Sequence, residues 1–152
     1  GFAPVASLLD HGINVGLGSD GAASNNRLDL FEEMRLAAIL AKAVSSRADA
    51  LPAQQALQMA TLNGARALGL DSKIGSLAPG KAADITAVDF SGLELSPCFD
   101  PVSHLVYTAG REQVSHVWVN GKLLLANRKL TTLSEKEAAA KARYWQEKIG
   151  VA

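Results

Sequence analysis

Apolar and polar positions alternate through Ile13, Val15 and Leu17, with Asn14, Gly16 and Gly18 between them, and this period of two predicts a buried strand closed by Asp20. Asp20-Gly21 could open a hairpin, but the following Ala22-Ala-Ser-Asn-Asn26 does not alternate, so the strand is expected to feed a helix. From Leu28 to about Val44 the period changes. Leu30, Phe31, Met34, Ala37, Ala38 and Ala41 recur at steps of three and four, placing one face inward and leaving Glu32, Arg35 and Lys42 in water. Asn26 with Asp29 resembles a capping box, and Asp29, Glu32 and Glu33 crowd the first turn, where the helix dipole favours negative charge.

The same reading extends in both directions. Upstream, Val5, Leu8 and Leu9 share a face of a short helix that His11-Gly12 ends, which gives His11 a capping role at the carbonyl end of the dipole. Downstream, Ser45 to Asp49 is a polar break, Pro52 opens a helix through Ala60, and Thr61 or Asn63 is expected to cap a short turn that Gly69 stops. Pro79-Gly80 suits a type II turn, and Ala83 to Asp89 reads as a strand. Leu93 to Leu95, Val102 to Thr108, Gln113 to Val119 and Lys122 to Leu125 are predicted strands, with Asn120-Gly121 as the strongest hairpin signal in the chain. Ser134-Glu-Lys-Glu137 is a capping box that begins an amphipathic terminal helix, whose apolar positions are Ala138, Ala142, Trp145 and Ile149.

Composition narrows the function more than the fold. The chain has 152 residues, 48% of them hydrophobic, enough for one domain with a real core. Its 15 basic and 15 acidic residues cancel without forming a stripe or tail, which argues against nucleic acid or a membrane surface as partner and favours a small, roughly neutral substrate. Cys98 is alone, so no internal disulfide forms, in keeping with a reducing cytoplasm. No apolar run reaches the roughly 18 residues of a membrane span.

Among chemistry-bearing residues, Asp20 stands out, because an acid at the carboxyl end of a strand is where barrel and open α/β enzymes place catalytic groups and metal ligands. The bland alternative is that it braces the turn. His104 and His116 sit in two predicted strands and could meet a metal only if the registers matched; without cysteines or a tight pair this is a weak signal. Cys98 has no neighbouring His or Lys to lower its pKa and reads as an inert thiol, and Asp84 reads as a structural acid bonding backbone amides beside a turn.

Gly16-Leu-Gly-Ser-Asp-Gly-Ala-Ala-Ser-Asn-Asn26 followed by Leu28-Asp-Leu-Phe-Glu-Glu-Met-Arg35 resembles the last strand and helix of the metal-dependent amidohydrolase barrel, and within that superfamily is most similar to the 5-methylthioadenosine/S-adenosylhomocysteine deaminases. Met59-Ala-Thr-Leu-Asn-Gly-Ala-Arg-Ala-Leu-Gly69 resembles the helical passage out of that barrel. Ile74-Gly75 through Pro79-Gly-Lys81 and Ala83-Asp84 resembles the return to its small β-sandwich.

The resemblance implies an α/β chain: residues 1–69 as the carboxyl-terminal end of a (β/α)8 TIM-type barrel, and 70–152 as part of a β-sandwich domain with a terminal helix. It implies Asp20 as ligand of one catalytic zinc and as carrier of the attacking water's proton, a nucleoside substrate, and release of ammonia. A complete barrel takes about 250 residues, and the family's remaining ligands, including a His-x-His pair, are absent from this chain. A carboxyl-terminal fragment, inactive by itself and poorly folded alone, is therefore expected. Related guanine, purine or triazine hydrolases remain open, as does a homo-oligomer. So does a non-catalytic assembly module docking through Tyr107, Trp118 and the terminal helix.

Overall fold

A computed structural model of the chain describes residues 1–150. Its first half is helical: α1 (Val5–Asp10), α2 (Leu30–Ser45), α3 (Ala53–Ala60) and α4 (Leu62–Ala67). Its second half carries a four-stranded antiparallel sheet in the order β1 (Ile85–Val88), β2 (Val114–Val119), β3 (Lys122–Ala126) and β4 (Lys129–Leu130). Helix α5 (Pro101–Tyr107) lies between β1 and β2 in the chain, and α6 (Glu135–Ile149) ends it.

The core forms where small residues let helices approach. Met34, Ala38 and Ala41 of α2 meet Ala56 and Met59 of α3, Leu51 of the intervening loop and Val106 of α5. Burying a side chain the size of Met59 or Val106 contributes about 1.5–3 kcal/mol. The expected inward face of α2 is found, with Phe31 and Ala37 packed at its margin, except for Leu30, which is exposed at the helix start. A second row on the same helix, Leu36, Ile39, Leu40 and Val44, remains exposed among the described residues.

Several predicted elements differ. Val102 to Thr108 is not a strand: Asp100 caps a helix there, its Oδ1 accepting the Val102 amide at 3.0 Å, and Pro101 occupies a first-turn position. That start signal, with Val102, Leu105 and Val106 at helical steps, specifies the helix. Leu93–Leu95 is a single 3-10 turn. Helix α2 is capped by Asp29 itself, which accepts the Phe31 amide at 3.1 Å, and not by Asn26. Thr61 occupies the N-cap position of α4 but its side chain makes no cap bond, and Asn63 lies inside the helix. The Thr61 hydroxyl donates to Leu57 O, and the Asn63 amide reaches back to Val15 O at 3.2 Å.

Arg35 and Lys42 are half-buried instead of wet. Arg35 donates to Ala109 O at 2.6 Å, tying α2 to the end of α5. Lys42 Nζ donates to Ala50 O at 2.8 Å, Leu51 O at 3.0 Å and the Tyr107 hydroxyl at 3.1 Å, so it satisfies the carbonyls of the turn between α2 and α3. Lys42→Met keeps the stem and removes the donor, stranding those carbonyls, and is expected to cost about 1–3 kcal/mol, measured as a shift of the urea midpoint.

Other features match. Asn120-Gly121 joins β2 and β3, and Ala78 O accepts the Lys81 amide across Pro79-Gly80 at 3.2 Å. Ser134 accepts the Glu137 amide at 3.3 Å at the start of α6, and His11 Nδ1 donates to Ser7 O at 2.7 Å at the end of α1.

The Asp100 carboxylate is held below its ordinary range by the Ser103 hydroxyl and then by the Val102 amide. A depressed folded pKa means its contribution is present above the unfolded value, near 4, and is lost as pH falls through the folded one. Asp100→Ala should therefore lower stability at neutral pH and flatten its acid dependence below about pH 4, as read from thermal midpoints across that range.

Candidate active site

The Ile13–Asp20 segment, expected as a buried strand, runs without a ladder partner among the described residues; Val15 and Leu17 are half-buried against the helical core, while Ile13 is exposed. With no strand beside it, its polar groups turn to helix ends. Leu17 N donates to Met59 O at 3.0 Å, Asn14 Nδ2 to Asn63 O at 3.0 Å, and Asn63 Nδ2 returns to Val15 O. Gly16 makes this docking possible, since a Cβ there would stand 3.1 Å from Gly64 Cα.

Asp20 ends the segment in the left-handed region, with φ 59°. A non-glycine residue rarely adopts this conformation, though aspartate does so more readily than most, and here it turns an exposed carboxylate out of the extended chain. Its Oδ1 accepts the Gly21 amide at 2.6 Å, and Oδ2 takes no hydrogen bond from the described residues. The loop beyond it is well tied. Gly21 O accepts the amides of Ser24 and Asn25 at 2.9 Å each, and Asp29, buried, begins α2 beside Arg27 and Arg111, 3.6 and 4.0 Å away.

Asp20 offers a hard, exposed oxygen suited to one position in a divalent metal's ligand set. A catalytic zinc uses three protein ligands, and among the described residues no three His, Cys, Asp or Glu side chains gather. The two histidines weighed with it do not assist. His104 is on α5 against the Phe90 ring, and His116 on β2 stacks on Trp118 at 5.5 Å between centroids. Asp84 accepts the Asn120 amide at 2.6 Å, a structural role at the hairpin, as expected of it. Cys98 is exposed and unpaired.

A cleft of about 710 Å³ opens between the helices and β1, where it is lined by Phe31, Met34, Leu57, Ile85 and Leu105. Asp84 is its one carboxylate, and Asp84 Oδ1 accepts the Asn120 amide. Sequence reasoning missed two polar residues. Asn25 bonds both the loop backbone and Glu33, and the buried Gln113 accepts the Gly110 amide at 2.9 Å. For Asn25 the available signal was its place in an Asn-Asn pair in the loop that leads to α2, where asparagine commonly bonds backbone amides.

Among curated proteins, the chain is 53% identical over 150 residues to a 5-methylthioadenosine/S-adenosylhomocysteine deaminase of Teredinibacter turnerae, covering 99% of the chain and 34% of that relative. It is 48% identical over 149 residues to a 5'-deoxyadenosine deaminase of Methanosarcina mazei, covering 98% and 34%. A zinc-bound adenosine deaminase structure from Xanthomonas campestris superposes with a TM-score of 0.95 at 48% identity, over 98% of this chain and 34% of that one. Zinc-bound atrazine chlorohydrolase of Arthrobacter aurescens superposes at 0.87 and 33% identity, over 95% and 32%. The chain thus spans about a third of the length of the relatives it matches. The amidohydrolase family model matches residues 1–124, and the chain belongs to that family.

Proposed function

We propose that this chain forms the carboxyl-terminal part of a zinc-dependent hydrolytic deaminase acting on adenosine-type nucleosides, with Asp20 as metal ligand and proton carrier. The observation that carries the reading is Asp20 itself: an exposed carboxylate in a left-handed turn, one oxygen held by the Gly21 amide and the other open. The deaminase relatives and the zinc in the superposed structures point the same way.

A bound zinc supplies Lewis acidity that makes water ionisable near neutral pH. The chain's own part is the proton. Water adds to the ring carbon bearing the amino group, Asp20 takes the water's proton on the carboxylate oxygen that the metal does not hold and returns it to the departing nitrogen, and ammonia leaves an inosine-type product. The Gly21 amide keeps the carboxylate oriented while this happens.

In the same reading, residues 1–69 close the barrel, with Ile13–Asp20 as its last strand, and 70–152 form the β module and terminal helix. The unladdered segment and the exposed Leu36, Ile39, Leu40 and Val44 row suit burial against further barrel elements. A triazine-type substrate is the second reading, favoured by the superposition on atrazine chlorohydrolase.

The test is turnover by a full-length protein containing this chain, read as ammonia from 5-methylthioadenosine, S-adenosylhomocysteine, adenosine and guanine and as chloride from a chlorotriazine, offered in parallel. Preference for the adenosine-type substrates upholds the reading; turnover of guanine or the triazine alone replaces it. The 152-residue chain by itself is expected to release none, since one carboxylate does not complete a zinc site.

A further inference from the structure

We propose that Asn25 is a positioning residue that sets where the Asp20 carboxylate stands relative to α2, an inference that rests on the reading of Asp20 as metal ligand. The loop from Asp20 to Leu28 carries its own hydrogen bonds between the carboxylate and α2. Asn25 is the one half-buried residue between Gly21 and Leu28, and it collects them. Its Oδ1 accepts the amides of Arg27 at 3.0 Å and Leu28 at 3.2 Å, and its Nδ2 donates to Glu33 Oε1 at 2.5 Å. Its own amide donates to Gly21 O, and the Gly21 amide holds Asp20 Oδ1.

A continuous hydrogen-bonded path therefore joins the Asp20 carboxylate to the first turn of α2. The chemistry requires a carboxamide. Two amides demand an acceptor on one branch and a carboxylate demands a donor on the other; aspartate lacks the donor, and serine has only a single oxygen in place of two branches. The parallel tether, Arg27 to Glu32 at 2.9 Å, is exposed, and a screened surface pair holds geometry weakly.

The test uses the full-length protein and reads zinc affinity by chelator competition together with kcat and KM. Asn25→Asp places a carboxylate against Glu33 and should weaken zinc binding by about 10–100-fold, the usual effect of losing a group that orients a ligand. Turnover should fall through kcat, with KM nearly unchanged. Adding Glu33→Gln to Asn25→Asp reverses donor and acceptor and should recover most of both losses, which a merely destabilised loop would not do. Glu32→Gln, which loosens only the surface pair, should leave zinc affinity at the wild-type value. Should Asn25→Asp not fold, Glu33→Ala cuts the same tether from the helix side and should give the same drop. Wild-type zinc affinity and kcat in Asn25→Asp or Glu33→Ala, or no recovery in the double variant, overturns the inference. Asp20→Asn measured alongside separates the two levels. If it retains zinc and activity, the reading of Asp20 itself has failed; if it is inactive while Asn25→Asp is normal, only the role of Asn25 has.

Discussion

Asp20→Asn in the full-length protein is expected to lower kcat for adenosine-type deamination by about 10³-fold or more, since general acid and base transfer alone contributes about 10²–10⁴. Asparagine keeps the size of the side chain, and its Oδ1 can still accept the Gly21 amide, so the turn should survive. What disappears is the negative charge that binds a metal and the oxygen that can carry a proton. Zinc content and thermal midpoint, measured with the rate, separate these losses from unfolding. A variant that folds normally, holds little zinc and does not turn over substrate is the expected result. Unchanged turnover would reduce Asp20 to a turn residue. The left-handed backbone there, φ 59°, would then need no function beyond connecting an extended segment to a loop.

The largest expected effect on stability lies at Gly75, away from the candidate site. Its φ of 85° is in the region that side chains rarely adopt, and a Cβ added there would stand 2.7 Å from Ala65 Cβ and 3.1 Å from Leu62 Cα. Neither neighbour is the end of a flexible chain, so α4 or the loop must move. Gly75→Ala should therefore cost about 2–3 kcal/mol, combining backbone strain with overpacking. Faster amide exchange localised to α4 and residues 70–76 would confirm it, and an unchanged exchange pattern would show that the loop yields without resistance.

The elements legible in the sequence were those with a local signal that no distant contact opposes. Asn120-Gly121, Pro79-Gly80, Ser134 and the three-and-four spacing of Met34, Ala38 and Ala41 all fall in this class. Val102 to Thr108, expected as a strand, carries local helix signals instead: the Asp100-Pro101 start and the aliphatic residues Val102, Leu105 and Val106, at steps of three and four. Arg35 and Lys42 were out of reach for a different reason. Their partners are carbonyls of Ala109, Ala50 and Leu51, brought close only when α2, α3 and α5 pack, and periodicity gives a helical cation no sign of them.

The site shows the same division. Asp20 was found from its place after an alternating run, whereas Asn25 depends on a bond to Glu33 that exists only once the loop folds onto the helix. The absence of a ladder on Ile13–Asp20 also has a simple cause: alternation specifies which faces turn inward, and no second strand lies beside it among the described residues.

The most direct measurement is the structure of the zinc-loaded full-length protein, read at one distance. A carboxylate oxygen of Asp20 about 2.0–2.2 Å from the metal, with Oδ1 still on the Gly21 amide, is the result expected here. Zinc held entirely by other residues, with Asp20 turned into solvent, would contradict the assignment on which the proposed function rests.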